Sequence, residues 1–197
     1  PCDTGIIKSL STGNEYTVKE VKKSNDEVVH IISEESGLVP SEGVLCKLDW
    51  EKRYMHMKLH TMLHIIDGIV YKKYKGEITG GQIFDTSARM DFDIPGFTKD
   101  MLDSIISDSQ KIIDEGHPVV AKEMPAEEAR KIEGIARTKP GEELLKSLDI
   151  VRIIEIEGFD FQLDGGTHVA NTKELGKINL VKFENKGAHN KRVEFSL

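Results

Sequence analysis

Trp50-Glu51-Lys52-Arg53-Tyr54-Met55-His56-Met57-Lys58-Leu59-His60-Thr61-Met62-Leu63-His64-Ile65-Ile66-Asp67-Gly68-Ile69-Val70 is where this chain changes its period. Before it, short β-rich runs alternate with turns. Ile6-Ile7, Glu15-Tyr16-Thr17-Val18, Val28-Val29-His30-Ile31-Ile32 and Val44-Leu45-Cys46-Lys47-Leu48 read as strands. Thr12-Gly13-Asn14, Ser24-Asn25-Asp26 and Val39-Pro40-Ser41-Glu42-Gly43 separate them. Within the quoted stretch Met55, Leu59, Met62, Leu63, Ile66 and Val70 keep a helical spacing, and Gly76 is expected to stop the helix. Residues 78–93 then read as paired strands. Thr98 caps a second helix with Leu102, Ile105, Ile106, Ile112 and Ile113 on its buried side. A strand at 119–123, a short acidic helix opened by Pro125, a strong strand at 151–156 and last strands at 179–184 and 192–195 complete the pattern. Strands first, then helices and strands mixed, predict an α+β protein with a two-layer domain behind a β-rich first 50 residues.

The same helix carries His60 and His64, four residues apart and therefore on one face. Alone, such a pair is a weak signal, because histidines serve packing and surface roles as readily. A second piece strengthens it. Asp164-Gly165-Gly166-Thr167-His168 offers another imidazole and a carboxylate from a glycine-bearing turn. Three imidazoles plus a carboxylate or a water would complete a tetrahedral zinc site. Gly165 and Gly166 allow two readings that are compatible. They let the backbone approach a ligand and aim N–H groups at a developing oxyanion, or they form a tight turn that delivers His168. His30, in an apolar strand, reads as structural.

Composition sets wide limits. The 197 residues suffice for one or two domains with a sizeable core. With 38% hydrophobic and 31% charged residues, the chain reads as a globular protein with no membrane association. Cys2 and Cys46 form neither a disulfide framework nor a metal motif, and reduced thiols agree with a cytoplasmic location. The balance of 27 basic against 34 acidic residues, a formal charge of −7, argues against coating nucleic acid nonspecifically. It leaves room for local basic contacts. Tyr71-Lys72-Lys73-Tyr74-Lys75 and residues 186–192 are basic clusters that read equally as phosphate contacts or as solvated surface.

Taken together, the HxxxH pair and the Gly-Gly-Thr-His-Val run resemble the editing domain shared by alanyl-tRNA synthetases and their free-standing relatives, the AlaX proteins. Asp49-Trp50 with Arg53 and Met57 looks like the family's approach to its first metal helix. Thr79-Gly80-Gly81-Gln82-Ile83 followed by Ala88-Arg89-Met90-Asp91-Phe92-Asp93 is similar to its core hairpin, and Asn171-Thr172-Lys173-Glu174-Leu175-Gly176 to its T-x-E-I-G run. Pro1-Cys2-Asp3-Thr4-Gly5 reads like the tail of a glycine-rich segment, so the natural protein is expected to continue upstream. The resemblance covers nearly the whole chain and implies a medium-length, free-standing protein. It also implies a small β-barrel over residues 1–50 and a metal-dependent editing domain over 51–197, of the threonyl/alanyl-tRNA synthetase second-domain type.

That family hydrolyses the ester of mischarged tRNA-Ala, chiefly carrying serine and sometimes glycine, so the resemblance implies the acceptor end of tRNA-Ala as partner. It implies one zinc ion on His60, His64 and His168, and assigns no ligand role to His56, His117 or His189. No Ser/His/Asp or Cys/His arrangement stands out, so direct attack by water is expected rather than an acyl-enzyme. Separating serine from alanine needs a group that hydrogen-bonds the hydroxyl. The resemblance points to a hairpin threonine, for which Thr79 is the match, and Gln82 is a second candidate. One departure stands out. Where the family usually has cysteine before Gly-Gly-Thr-His, this chain has Asp164, a harder ligand of shorter reach that holds the ion directly or through a water. Three other readings remain: editing of a different mischarged tRNA, a tRNA-end or metal-binding module without turnover, and a hydrolase of small esters.

Overall fold

The computed structural model describes residues 1–197 apart from Asp26, Ser36 and Ala188, and the backbone alone of Lys139 and Pro140. The chain divides into two compact units, Pro1–Met55 and His56–Leu197.

In the first unit β1 (Gly5–Ser9), β2 (Glu15–Ser24), β3 (Glu27–Ile32) and β4 (Val44–Leu48) form one antiparallel sheet in the order β3-β2-β1-β4. Ile7 of β1 faces Tyr16 on one side and Cys46 on the other. Ile7, Tyr16 and Val18 are its buried apolar residues. A closed barrel is not shown: among the described residues β3 and β4 are the two edges of the sheet. Both edges are solvated, with every residue of β4 exposed and β3 exposed up to Ile31, His30 included. Strands that bury neither face have no apolar surface with which to close a barrel. Asp3 accepts from Arg53, at 2.7 Å for Nε to Oδ1, and this pairing raises the Arg53 guanidinium above its ordinary pKa.

Helix α1 (Trp50–Ile69) is the expected central helix. All of Thr61–Gly68 is buried, which a helix packed on several sides requires. Its ending differs from expectation. α1 passes into a π-helical turn, Val70–Tyr74, and Lys75, not Gly76, takes the left-handed conformation that terminates it, with φ 52°. Gly76 has another reason to be small: a Cβ there would stand 2.5 Å from Ile94 Cγ1. The basic cluster of this turn is engaged locally. Lys73 donates to Asp108 at 2.7 Å, Lys72 sits 4.3 Å from the Phe159 ring centroid and Lys75 5.3 Å from that of Tyr71.

β5 (Glu77–Ile83) and β6 (Ser87–Asp93) form the expected hairpin, and α2 (Lys99–Glu115) follows with Thr98 accepting from Met101 N as its cap. β7 (Val119–Pro125) leads into α3 (Ala126–Ala129), then α4 (Lys139–Ser147), β8 (Ile150–Ile156), β9 (Asp160–Leu163), a 3-10 turn at Thr172–Leu175, β10 (Asn179–Asn185) and β11 (Lys191–Ser196). Two antiparallel sheets result, β10-β11-β6-β5 and β7-β8-β9. The α+β class is as expected. Ala88, Met90, Phe92, Val193 and Phe195 line the buried side of the first sheet, and Val151, Ile153, Ala126 and Ala129 form a cluster on the second.

At the end of α2, His117 donates from both ring nitrogens, to Glu115 Oε2 and to the Glu157 carbonyl, each at 2.7 Å. The Glu115 carboxylate, more than the carbonyl, raises its pKa above the ordinary histidine value. A raised histidine stabilises the fold fully below the unfolded pKa of about 6.5 and loses that contribution as pH climbs through the folded value. Melting temperature is therefore expected to fall slightly above neutrality in the wild type and to lose this component in His117→Gln. The group is solvated enough to keep the effect small.

Candidate metal centre

His60 and His64 occupy successive turns of α1, and Asp164 and His168 come from the turn that follows β9. The structure brings these four together. Their ligand atoms all lie within 4.8 Å of one another. Asp164 Oδ2 is 3.4 Å from His60 Nε2 and 3.5 Å from His64 Nε2, while Oδ1 is 3.3 Å from His168 Nε2. Two atoms each about 2.0–2.1 Å from one ion at a tetrahedral angle lie about 3.3–3.4 Å apart. The separations and the donor chemistry thus both fit a four-coordinate ion such as zinc. His56, one turn earlier, is outside this set and faces Asp85 Oδ1 at 3.3 Å.

Electrostatics favour ligation. Burial alone would raise the Asp164 carboxyl, but the surrounding imidazoles of His168, His60 and His64 outweigh it and hold the group ionised well below the carboxylate range. Burial pushes His168 down to about 3 against the opposing pull of Asp164, so its ring is neutral near pH 7 and keeps a lone pair. Its side chain is only 3% exposed.

The turn itself is built for close approach. A Cβ on Gly166 would stand 2.3 Å from His60 Cε1 and 2.6 Å from Nδ1, whereas one on Gly165 would meet nothing within 4 Å. The Gly166 N–H donates to Asp164 Oδ1. Arg152 of β8 closes the loop from below, its Nη1 donating to the carbonyls of Asp164 (3.0 Å) and Gly166 (2.6 Å). Gly166→Ala is expected to drive His60 off its position and to weaken binding of a divalent metal about 10–100-fold, the range seen when a metal-binding side chain loses its support. Gly165→Ala should change it little. Chelator competition on the two variants separates a steric need at one glycine from a general need for turn flexibility.

Thr61 and Arg152 were not singled out by sequence reading. Each carried a faint signal: a buried-spacing hydroxyl beside His60, and a lone basic residue inside an apolar strand. Of the substrate-reading candidates, Thr79 falls at the register shift between Ile78 and Gly80, where β5 bulges, and donates to the Asp91 carbonyl at 3.4 Å. Gln82 pairs with Arg89, on the sheet face opposite buried Ala88 and Met90. In the second basic cluster, Lys186 pairs with Glu184, and Arg192 makes a two-pronged contact with Asp91 at 2.8 and 2.9 Å.

A helix bearing two histidines, set against a strand-turn that supplies a third and a carboxylate, is the class of site found here, and residues 151–194 match the family model described as the threonyl and alanyl tRNA synthetase second additional domain. Full-length relatives narrow this. The chain is 38% identical over 200 residues to the alanyl-tRNA editing protein AlaX-M of Saccharolobus solfataricus, spanning 99% of this chain and 81% of that protein. It is 33% identical to AlaX-M of Methanosarcina barkeri, over 100% of this chain and 82% of that one. To an alanine–tRNA ligase of Saccharolobus islandicus it is 30% identical, over 92% of this chain and 20% of the ligase. The chain belongs to the alanyl-tRNA editing protein AlaX family, as the motif resemblance implied.

Proposed function

We propose that this protein is a trans-acting aminoacyl-tRNA deacylase that hydrolyses the ester of tRNA-Ala mischarged chiefly with serine and also with glycine. The observation that carries this reading is the convergence of His60, His64, Asp164 and His168 within 4.8 Å, in a member of the alanyl-tRNA editing family. Zinc held by those side chains would position the ester and, through a further coordination position, lower the pKa of an attacking water. Asp164 stands in for the family's thiolate and supplies the negative charge of the ligand set. The Gly165 N–H, on the open side of the turn, is the donor we assign to the oxyanion. Gly166 serves the same oxyanion through the geometry it permits, its own N–H being committed to Asp164. Thr79, re-aimed by the bulge in β5, is our candidate for reading the serine hydroxyl, with Gln82 as the second.

Residues 1–50 are proposed as a separate β domain and 51–197 as the editing domain. Among the described residues no helix is long and apolar enough to cross a membrane, and we place the reaction in the cytoplasm, where charged tRNA is found. The basic side chains of both clusters are engaged with neighbouring acids, rings or carbonyls, so recognition is assigned to the acceptor end. Binding should then depend only shallowly on salt. A steep slope, implying many phosphate contacts, would refute that assignment.

Deacylation of Ser-tRNA-Ala against Ala-tRNA-Ala, with and without chelator, tests the whole reading. Serine-selective, chelator-sensitive hydrolysis supports it. Binding of the tRNA without hydrolysis supports instead a module that lost turnover when aspartate replaced the thiolate.

A further inference from the structure

Thr61 lies one residue past His60 on α1 and is wholly buried. Its hydroxyl has one proton and two lone pairs. Three partners surround it: the Met57 carbonyl at 2.9 Å, the Val169 N–H at 3.3 Å and His168 Nδ1 at 3.2 Å. A carbonyl can only accept, so the hydroxyl proton goes to Met57 O. A backbone N–H can only donate, so Val169 takes one lone pair. The remaining lone pair faces His168 Nδ1, and that contact is a hydrogen bond only if Nδ1 carries the imidazole proton. A neutral ring has one N–H. Nε2 is then left with its lone pair, and Nε2 is the atom aimed into the cluster.

We propose that Thr61 is a positioning residue: by accepting from Nδ1–H it fixes His168 in the tautomer that offers Nε2 to the metal. The inference rests on the metal-centre reading given above. A device of this kind is needed because Asp164 opposes it. Its Oδ1 stands 3.3 Å from His168 Nε2, and a carboxylate there draws the proton onto Nε2, the tautomer that cannot ligate. Thr61 supplies the counterweight on the other side of the ring. Since Val169 N–H and His168 Nδ1 both reach the same oxygen, one hydroxyl also sets where the ring stands against α1.

The test has two readouts. In the metal-free protein, the nitrogen-15 spectrum of His168, assigned by its absence in His168→Gln, is expected to show a protonated Nδ1 and an unprotonated Nε2. Thr61→Val, of nearly the same shape but without an acceptor, should shift the proton towards Nε2. By chelator competition, zinc affinity of Thr61→Val should fall about 10–100-fold, and Thr61→Ser should keep the wild-type tautomer and affinity within a few-fold. Wild-type His168 protonated on Nε2 would overturn the proposal. So would Thr61→Val binding zinc as tightly as wild type, or Thr61→Ser binding as weakly as Thr61→Val, which would assign the effect to the methyl group. Wild type that binds no zinc would defeat the metal reading separately, and the nitrogen spectrum would still decide the role of Thr61.

Discussion

His168→Ala is expected to weaken zinc binding by more than the ~100-fold that loss of an outer hydrogen bond costs, and to abolish chelator-sensitive hydrolysis of Ser-tRNA-Ala. The reasons are local. His168 is the most deeply buried of the four side chains, at 3% exposed, so no water-facing rearrangement replaces it. Its Nε2 closes the cluster opposite His60 and His64, whose ring centroids lie 4.3 and 4.6 Å from its own. Without it, the set falls from four protein side chains to three, Asp164 and two imidazoles, with one position left to water. The control is His56→Ala. That ring also sits on α1, one turn before His60, yet faces Asp85 rather than the cluster. Its loss should leave zinc affinity within a few-fold of wild type. Equal losses in the two variants, measured by chelator competition, would mean that the histidines act through helix stability and not as ligands.

Much of this site was legible in the chain. The four proposed ligands announce themselves by residue type and by spacing, because i and i+4 on a helix and a glycine-bearing turn are local features. α1, the β5–β6 hairpin, Thr98 as a cap and the strand at β8 follow likewise from period and capping. What escaped is either short or long-range. β9 spans four residues, too few to show an alternation, and α4 opens on Lys139-Pro140-Gly141, where proline and glycine mask a helix start. The barrel was expected from family resemblance, whereas closure depends on pairing β3 with β4, which no local pattern encodes. Lys75 ends the helix in place of Gly76 because the π-helical turn shifts the terminus by one residue, and the neighbouring glycine is spent on clearance from Ile94. Arg152 and Thr61 could not be assigned, since their roles depend on which carbonyls and rings the fold brings to them.

Arg137 belongs to that long-range group, and its removal is expected to be the most destabilising single change in the second unit. Its guanidinium is 9% exposed and lies between two buried carboxylates. It is bidentate to Asp160, at 3.1 and 2.7 Å, and reaches Asp67 Oδ2 at 3.3 Å. Nε donates to the Gly134 carbonyl at 2.9 Å, and the group stacks 4.2 Å from the Tyr71 ring centroid. Arg137→Ala strips Asp67 of its guanidinium and leaves Asp160 only Gln162, at 2.6 Å, and Lys72, at 4.0 Å, a change that costs about 3–5 kcal/mol and lowers the melting temperature by roughly 10 °C. Lysine should not rescue it, because a point charge cannot reproduce the fork. The deficit should also depend on pH. Burial raises the Asp67 carboxyl, Arg137 pulls it down, and without Arg137 it rises further. A carboxyl raised in the folded state loses stability as pH climbs from the unfolded value of about 3.9 through the folded one. The variant should therefore be worst at neutral pH and recover partly on acidification, and a deficit that does not vary with pH would refute this account. The consequence reaches the proposed metal site. Asp67 and Gly68 extend the His60–His64 face of α1, and a Cβ on Gly68 would stand 2.8 Å from Phe159, at the entry to β9. Asp160 opens β9 and Asp164 follows its end, so the ion network fixes how that face of α1 meets the strand that delivers Asp164 and His168. Zinc affinity should fall with stability in Arg137→Ala, although Arg137 touches none of the four ligands.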